Sequence, residues 1–249
     1  MLRKSLTKDL LIFLGFLIDE IDAHTYHAQM QRLFCQGWYK RSSFESSVRR
    51  LLSVGDIEKI QKGGNVFYRL TSLGSERIKE NIPIVRLASK PWDKKWRLVI
   101  FDIQEKNKST REALRDKLIS LGFGMWQESV YITPFDIEQE INQYLVSKKL
   151  SQEAVCLVAQ RSDLGDDRAL ANYVWKLGKL NEEYRDFFED CQRVREKRGD
   201  KITEVQRLWL AYQDLIFKDP HLPKELLPVD WLGERERARR EFSRLIRNY

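Results

Sequence analysis

WRLVIFDIQEKNKSTREALRDKLISLGFGMWQESVYITP, residues 96–134, changes its period twice. From Leu98 to Phe101 the apolar positions run without a break, which predicts a strand buried on both faces. Beyond Ser109 they fall at Ala113, Leu114, Leu118 and Leu121, the spacing of a helix that lays one stripe on a sheet. Ser109 or Thr110 is the expected cap and Gly122 with Gly124 the expected stop. Residues 125–134 alternate again and read as one bent or two short strands.

The pattern repeats downstream. IEQEINQYLVSKK, 137–149, turns Ile137, Ile141, Tyr144 and Leu145 inward as a second helix, and EAVCLVAQ, 153–160, is a last strand. The order β-α-β-β-α-β predicts a ferredoxin-like domain over residues 92–163.

Upstream, residues 1–88 carry a different pattern. TKDLLIFLGFLIDE and TYHAQMQRLFCQGWY read as two helices, the second with Met30, Leu33 and Phe34 inward. In RSSFESSVRRLLSVGDI, residues 41–57, Phe44, Val48, Leu51 and Leu52 form the buried face of a third. Its outer face holds Ser43, Ser46, Arg49, Arg50 and Ser53, with only Glu45 as acidic cover. Serine and arginine in that setting suit phosphates and base edges. Ile57–Gln61 and Val66–Leu70 read as strands joined by Lys62-Gly63-Gly64-Asn65, whose glycines and asparagine supply the positive φ of a tight hairpin. Lys62 sits at the tip, with Asn65 in the same joining segment, and Arg69 stands on the return strand. Thr71 or Ser72 starts a fourth helix. Helices followed by a basic-tipped hairpin predict a winged helix-turn-helix that binds double-stranded DNA through Ser43, Ser46, Arg49, Arg50, Lys62, Asn65 and Arg69; a protein-binding winged helix is the alternative.

Between these parts IPIVRLASKPWDKK, 82–95, has two prolines and no period, and reads as a linker. Residues 164–249 read as a helical domain, with apolar stripes through Leu170, Val174 and Leu177, through Tyr184, Phe187 and Cys191, and through Val205, Leu208, Trp209 and Tyr212. Trp209 and Trp231 read as core or as the wall of a small-molecule pocket. Near the end, Arg235, Arg237, Arg239, Arg240, Arg244 and Arg247 alternate with Glu234, Glu236 and Glu241, a solvated face of paired charges, with a phosphate site or an added DNA contact as alternatives.

The chain has 249 residues and a formal net charge of +7. Residues 1–90 hold 15 Lys and Arg against 9 Asp and Glu, so nearly all of the excess lies in the expected DNA-binding part. The longest apolar run, LLIFLGFLI at 10–18, falls well short of the roughly 18 residues of a membrane span, and acidic residues follow it where a cleavage site would stand. It reads as a buried helix. Three scattered cysteines make neither a disulfide framework nor a zinc site. His24 and His27 read as surface or capping residues. A cytoplasmic protein without a membrane segment is expected.

Two resemblances follow. FDI at 101–103, Arg111, Leu114, LGFG at 121–124, Gln127, Ser129, Val130 and Tyr131 resemble the small ferredoxin-like endonuclease of CRISPR adaptation complexes. The resemblance implies a carboxylate at the end of the first strand that holds a divalent metal between two subunits, and Asp102 matches that position. Asp102 is therefore either a magnesium-binding catalytic residue or the polar cap of a strand in a subunit-pairing domain. Magnesium belongs only to the first alternative; no other cofactor is expected.

The second resemblance covers nearly the whole chain. Val48, Arg50, Leu51, Gly55, FYRLTSLG at 67–74, PWDKKWR at 91–97 and above all the run Lys218-Asp219-Pro220, Leu222-Pro223, Glu225-Leu226-Leu227-Pro228 and Trp231 before Gly233 are similar to the PaaX family, repressors of phenylacetate catabolism and their relatives. It implies a homodimeric, non-enzymatic repressor that binds a palindromic operator, pairs through sheet edges of the middle domain and is released by a small-molecule effector, an acyl-CoA thioester. The chain stops at Tyr249, soon after this run, and part of an effector pocket supplied by a longer tail is expected to be missing.

Overall fold

The computed structural model describes residues 6–17, 25–81, 91–160, 165–229 and 231–247. In chain order the elements are α1 (Leu6–Leu17), β1 (Thr25–Tyr26), α2 (His27–Cys35), α3 (Arg41–Ser53), β2 (Ile57–Lys62), β3 (Asn65–Leu70) and α4 (Ser72–Asn81). β4 (Lys95–Phe101), α5 (Lys108–Ser120), β5 (Gly124–Gln127), β6 (Val130–Thr133), α6 (Glu138–Ser147) and β7 (Ala154–Gln160) follow. The chain continues through α7 (Asp167–Trp175), α8 (Leu177–Glu196), α9 (Ile202–Lys218) and α10 (Trp231–Arg247). The result is a mixed α+β chain with two antiparallel sheets. The expected linker lies outside the described residues as far as residue 90, and β4 begins at its last residue, Lys95.

The sequence reading divides the chain into three consecutive segments. Packing divides it into two units: residues up to 81 with 181–218 and 233 onward, and residues 82–180 with 219–232.

In the first unit α1 is buried almost all round, through Leu10, Leu11, Ile12, Phe13 and Leu14. A short helix that is apolar on every side is a core helix, and none of the described helices is long and apolar enough to cross a membrane. Phe13 meets Phe34 of α2 and Trp209 of α9 edge-on, at 5.4 and 5.1 Å between ring centres. Trp209 stacks on Phe242 of α10, which also touches Phe187 and Tyr212. The N-terminal helices therefore share one aromatic core with the C-terminal ones, each large ring burying on the order of 150–250 Å². A three-stranded sheet of order β1-β3-β2 closes the other side. The β2–β3 turn places Gly63 and Gly64 at φ 57° and 76°, the two positive values a two-residue hairpin loop demands. β1 was not expected; it pairs two residues, Thr25 and Tyr26, with Tyr68 and Phe67.

In the second unit the sheet order is β5-β6-β4-β7, all neighbours antiparallel, which is the ferredoxin-like arrangement. Successive side chains of β4 point to opposite faces. Arg97 bonds Glu138 of α6, and α5 joins α6 through Lys117–Glu140, so these helices cover the Arg97 face. Trp96 donates to Asp167 of α7 at 2.8 Å and stacks on Trp175, so α7 covers the opposite face. Gly124 permits that approach, since a Cβ there would lie 2.2 Å from Val174. Farther along the same face the sheet is open: Ile100, Val155 and Leu157 are 39, 47 and 46% exposed. The expectation that both faces of β4 are buried is corrected at Ile100.

Three smaller expectations are also corrected. The cap of α5 is Asn107, because a 3-10 turn at Glu105–Asn107 starts the helix before Ser109 and Thr110. Ala113 is exposed, since the buried stripe narrows to Leu114, Leu118 and Leu121. Gly124 belongs to β5, and Gly122, at φ 83°, stands alone in the turn after α5.

Candidate nucleic-acid interface

α3 buries Phe44, Val48 and Leu51 and turns the opposite arc to solvent. Ser43, Ser46, Arg49 and Arg50 are all exposed on that arc. Ser42 and Ser53 lie on it too, by the 100° step of the helix. Ser42 was missed by the sequence reading, though it stands four residues before Ser46 and seven before Arg49. No carboxylate lies on the arc. Glu45, on its flank, is engaged by Arg41 at 3.0 Å. Arg49 donates to Ser46 Oγ at 3.3 Å. The helix begins at an extended Lys40 without a side-chain cap and with no acid in its first turn. The positive end of its dipole is therefore met by no side-chain acceptor, and Lys40 and Arg41 beside it are exposed.

On the hairpin, Lys62 and Asn65 are exposed at the tip. Arg69 is half-buried and paired with Glu58, its cross-strand neighbour, at 2.5 Å. Lys59, exposed on β2, adds a charge that the sequence reading left out. The hairpin base is tied to α4: Thr71 Oγ1 accepts from the Gly74 N–H as its cap, and the buried Asp56 pairs with Arg77 at 2.8 Å.

His27, the first residue of α2, is half-buried. Its ring lies between Phe44 of α3 and Tyr68 of β3, 5.5 Å from each, with Nδ1 buried. Burial lowers its pKa; Glu45 opposes that, and Arg41 and Lys59 add to it. His24 lies outside the described residues.

Asp102 is exposed just beyond β4, and its backbone N–H donates to Glu153 O at 2.8 Å. Among the described residues no group of three or more His, Cys, Asp or Glu is placed to hold a metal ion. The three cysteines are free, and burial pushes the Cys156 thiol up to about 11 and raises Cys191 as well.

The second unit holds a cavity of about 230 Å³ walled by Pro91, Trp92, Pro134, Phe135 and Pro223. Its two carboxylates, Asp93 and Asp136, are both committed to the buried Arg97: Asp93 takes a two-pronged bond at 2.7 Å and Asp136 stands at 3.3 Å. Pro223 belongs to the C-terminal run singled out in the sequence. That run forms a packed turn, with Asp219, Leu222, Leu226, Leu227 and Trp231 buried and Arg168 of α7 donating to Glu225 O. Trp209 and Trp231 are core residues, 1 and 0% exposed. Along α10 the alternating charges are paired: Glu234 with Arg237, Glu236 with Arg239 and Arg240, Glu241 with Arg244 and with Arg195 of α8; the expected solvated face is corrected at Glu241, which is buried. Arg239, joined by Arg240, holds the Glu236 carboxyl down at about 2.

A family model described as PaaX protein central Cas2-like domain matches residues 89–171, and one described as PaaX-like protein C-terminal domain matches residues 175–249. The transcriptional repressor PaaX of Escherichia coli (strain K12) is 28% identical over 204 residues, which are 76% of this chain and 63% of that protein. The match thus spans less than two thirds of that relative's length. Among solved structures, the uncharacterized protein Rv0674 from Mycobacterium tuberculosis superposes with a TM-score of 0.55 at 21% identity, over 97% of each chain. At that identity the likeness is one of fold.

Proposed function

The chain belongs to the PaaX family, and from that premise we propose that it is a sequence-specific DNA-binding transcriptional regulator, a repressor and not an enzyme. One observation carries the reading: the exposed arc of α3 presents Ser43, Ser46, Arg49 and Arg50 without a carboxylate, beside a hairpin with a basic tip. In this reading residues 1–88 are a winged helix. α3 enters the major groove, where Arg49 or Arg50 takes a guanine edge by two bonds, and the serines and the uncapped helix start take phosphates. Lys62 and Asn65 contact the flanking backbone. Arg69 acts there only when released from Glu58.

The protein works as a homodimer in the cytoplasm. Support comes from β7, an edge strand that pairs only with β4 among the described residues and exposes Val155, Leu157 and Val158. An apolar edge of that kind invites a second strand, and a two-fold axis supplies a second reading helix for the other half of a palindrome. An acyl-CoA effector remains part of the reading. The cavity beside Trp92 and Phe135 has apolar walls for an aryl or acyl group, but at about 230 Å³ it is smaller than the roughly 300–1,000 Å³ of an ordinary ligand site. The coenzyme portion of a thioester would lie outside it.

The test is a native gel of the purified protein with labelled duplex from upstream of its own gene, with magnesium present and random DNA as competitor. The expected result is a discrete shifted band of intact DNA that added acyl-CoA disperses. Shortened DNA that chelator protects, and that Asp102→Ala no longer produces, would overturn it in favour of a nuclease.

A further inference from the structure

We infer that Gln206, far along the chain in α9, is a positioning residue for DNA reading: its side-chain amide closes the C-terminus of α2 and fixes the turn that aims α3. The inference rests on the DNA-binding role proposed for α3.

A helix ends with carbonyls that have no partner within the helix. At the end of α2 the carbonyls of Arg32, Leu33 and Phe34, and that of Gln36 just beyond, have identified partners. Arg32 O accepts from Gln36 N–H, and Phe34 O accepts from Tyr39 N–H, a bond that wraps the turn around Gly37 at φ 83°. Leu33 O and Gln36 O are met from outside, by Gln206 Nε2 at 2.8 and 2.7 Å. An amide nitrogen carries two hydrogens, and both are used here.

The surroundings make the arrangement specific. Gln206 is 6% exposed and sits among Val205, Leu208 and Trp209 on the buried side of α9. A polar side chain there costs free energy unless its hydrogens are satisfied. A leucine would meet the packing requirement without reaching either carbonyl. Residues 36–40 are all that separate α2 from α3. The turn is thus held by the Phe34 ring against Phe13 and Trp209 and, from the neighbouring position on the same face of α9, by the Gln206 amide. Arg32 adds an exposed bond to Asp200, just ahead of α9. A helix from the last third of the chain therefore sets the direction in which the reading helix points.

The experiment compares full-length wild type with Gln206→Leu and, as an isosteric second variant, Gln206→Glu, which keeps the volume and removes both donors. Two quantities are read. The first is hydrogen exchange over residues 36–44, with the α4 peptide 72–81 as internal reference. Both variants should exchange faster at 36–44 and keep the wild-type rate at 72–81. Unchanged exchange at 36–44 overturns the inference whether or not the protein binds DNA, and so does equal acceleration of both peptides, which would mark general loosening. The second is affinity for operator against random duplex. Operator affinity should fall about tenfold, while random-duplex affinity and its salt slope stay as in wild type, because the exposed cations of α3 and the hairpin are untouched. Equal loss on both duplexes overturns the positioning role. A wild type that prefers no sequence while the 36–44 effect persists would instead overturn the proposed function.

Discussion

Glu58→Gln should turn a latent cation into a DNA contact. In the free protein Arg69 is held by Glu58 across the hairpin at 2.5 Å, with the two side chains 43 and 45% exposed. A half-exposed pair of that kind contributes about 0–1 kcal/mol, so its removal leaves the fold nearly as stable. Its effect on DNA is larger. The substitution removes one negative charge from the hairpin and frees a guanidinium near the hairpin base, on the same sheet face as Lys62 and Asn65, which lie at the tip four residues away. One added phosphate contact steepens the plot of log affinity against log salt by about 0.9, which at roughly 0.15 M salt corresponds to about fivefold tighter binding. Fluorescence anisotropy on a random-sequence duplex across a salt series reads both numbers. An unchanged slope would refute the assignment of the hairpin to the DNA backbone. A gain confined to one sequence would show Arg69 reading bases.

The remaining predictions concern the reading helix, the middle sheet and pH. Arg50→Ala should cost about 1–3 kcal/mol on the operator and relax sequence choice, whereas Lys62→Ala should weaken all duplexes alike and flatten the salt slope by about one; identical behaviour of the two variants in anisotropy would sink the division of labour. Arg97→Met strips three carboxylates of a buried partner. Because those carboxylates reach water, the loss belongs at the low end for a broken buried pair, about 3 kcal/mol, seen as a fall of roughly 6–12 °C in melting temperature. Arg97 also holds the Asp93 carboxyl below its ordinary value, so that pair stabilises above the unfolded pKa of about 3.9 and its contribution is lost as pH falls through the lower folded value. The gap between wild type and Arg97→Met should therefore narrow in acid; a gap independent of pH refutes the account. Partial burial favours the neutral form of His27, so its contribution is complete above about 6.5 and is lost as pH falls through its lower folded value. His27→Gln should flatten the decline in melting temperature between about pH 7 and 5, and a decline as steep as wild type's would show that another group is responsible.

Much of this was legible in the residues because the strongest signals are local. Two adjacent glycines between alternating strands specify a tight hairpin whatever surrounds them, and the change from period two to period 3.6 and back marks each element of the ferredoxin-like sheet. The buried and exposed arcs of α3 follow from the spacing of Phe44, Val48 and Leu51. What was not legible depends on partners distant in the chain. β1 is two residues long, too short to show a period, and exists because β3 offers it an edge. His27 looks like a surface residue until Phe44 and Tyr68 close on it from two other elements. The stripes of α9 and α10 announce that they are buried but not against what, so the sharing of Phe34, Trp209 and Phe242 between the two ends of the chain could not be read. At the site, exposure of Ser43, Ser46, Arg49, Arg50, Lys62 and Asn65 follows from pattern, while the engagement of Arg69 by Glu58 requires the register of the hairpin. Gln206 reads as one more polar residue on a helix; nothing near it in sequence signals the two carbonyls it meets.

The first unit gathers residues from the beginning, the last third and the end of the chain. On a ribosome, domains usually mature in the order in which they emerge, at about 5–20 residues per second. Here the part synthesised first is the part completed last. α1 to α4 leave the exit tunnel with Phe13 and Phe34 still lacking the Trp209 ring that meets both, and the turn before α3 still lacking Gln206. The middle sheet, from β4 to β7, is by contrast contiguous in the chain. A nascent or truncated chain thus carries every residue that would touch DNA without the scaffold that aims them. On the proposed reading of α3, a chain that ends before α9 lacks the two Gln206 bonds that close the turn ahead of it.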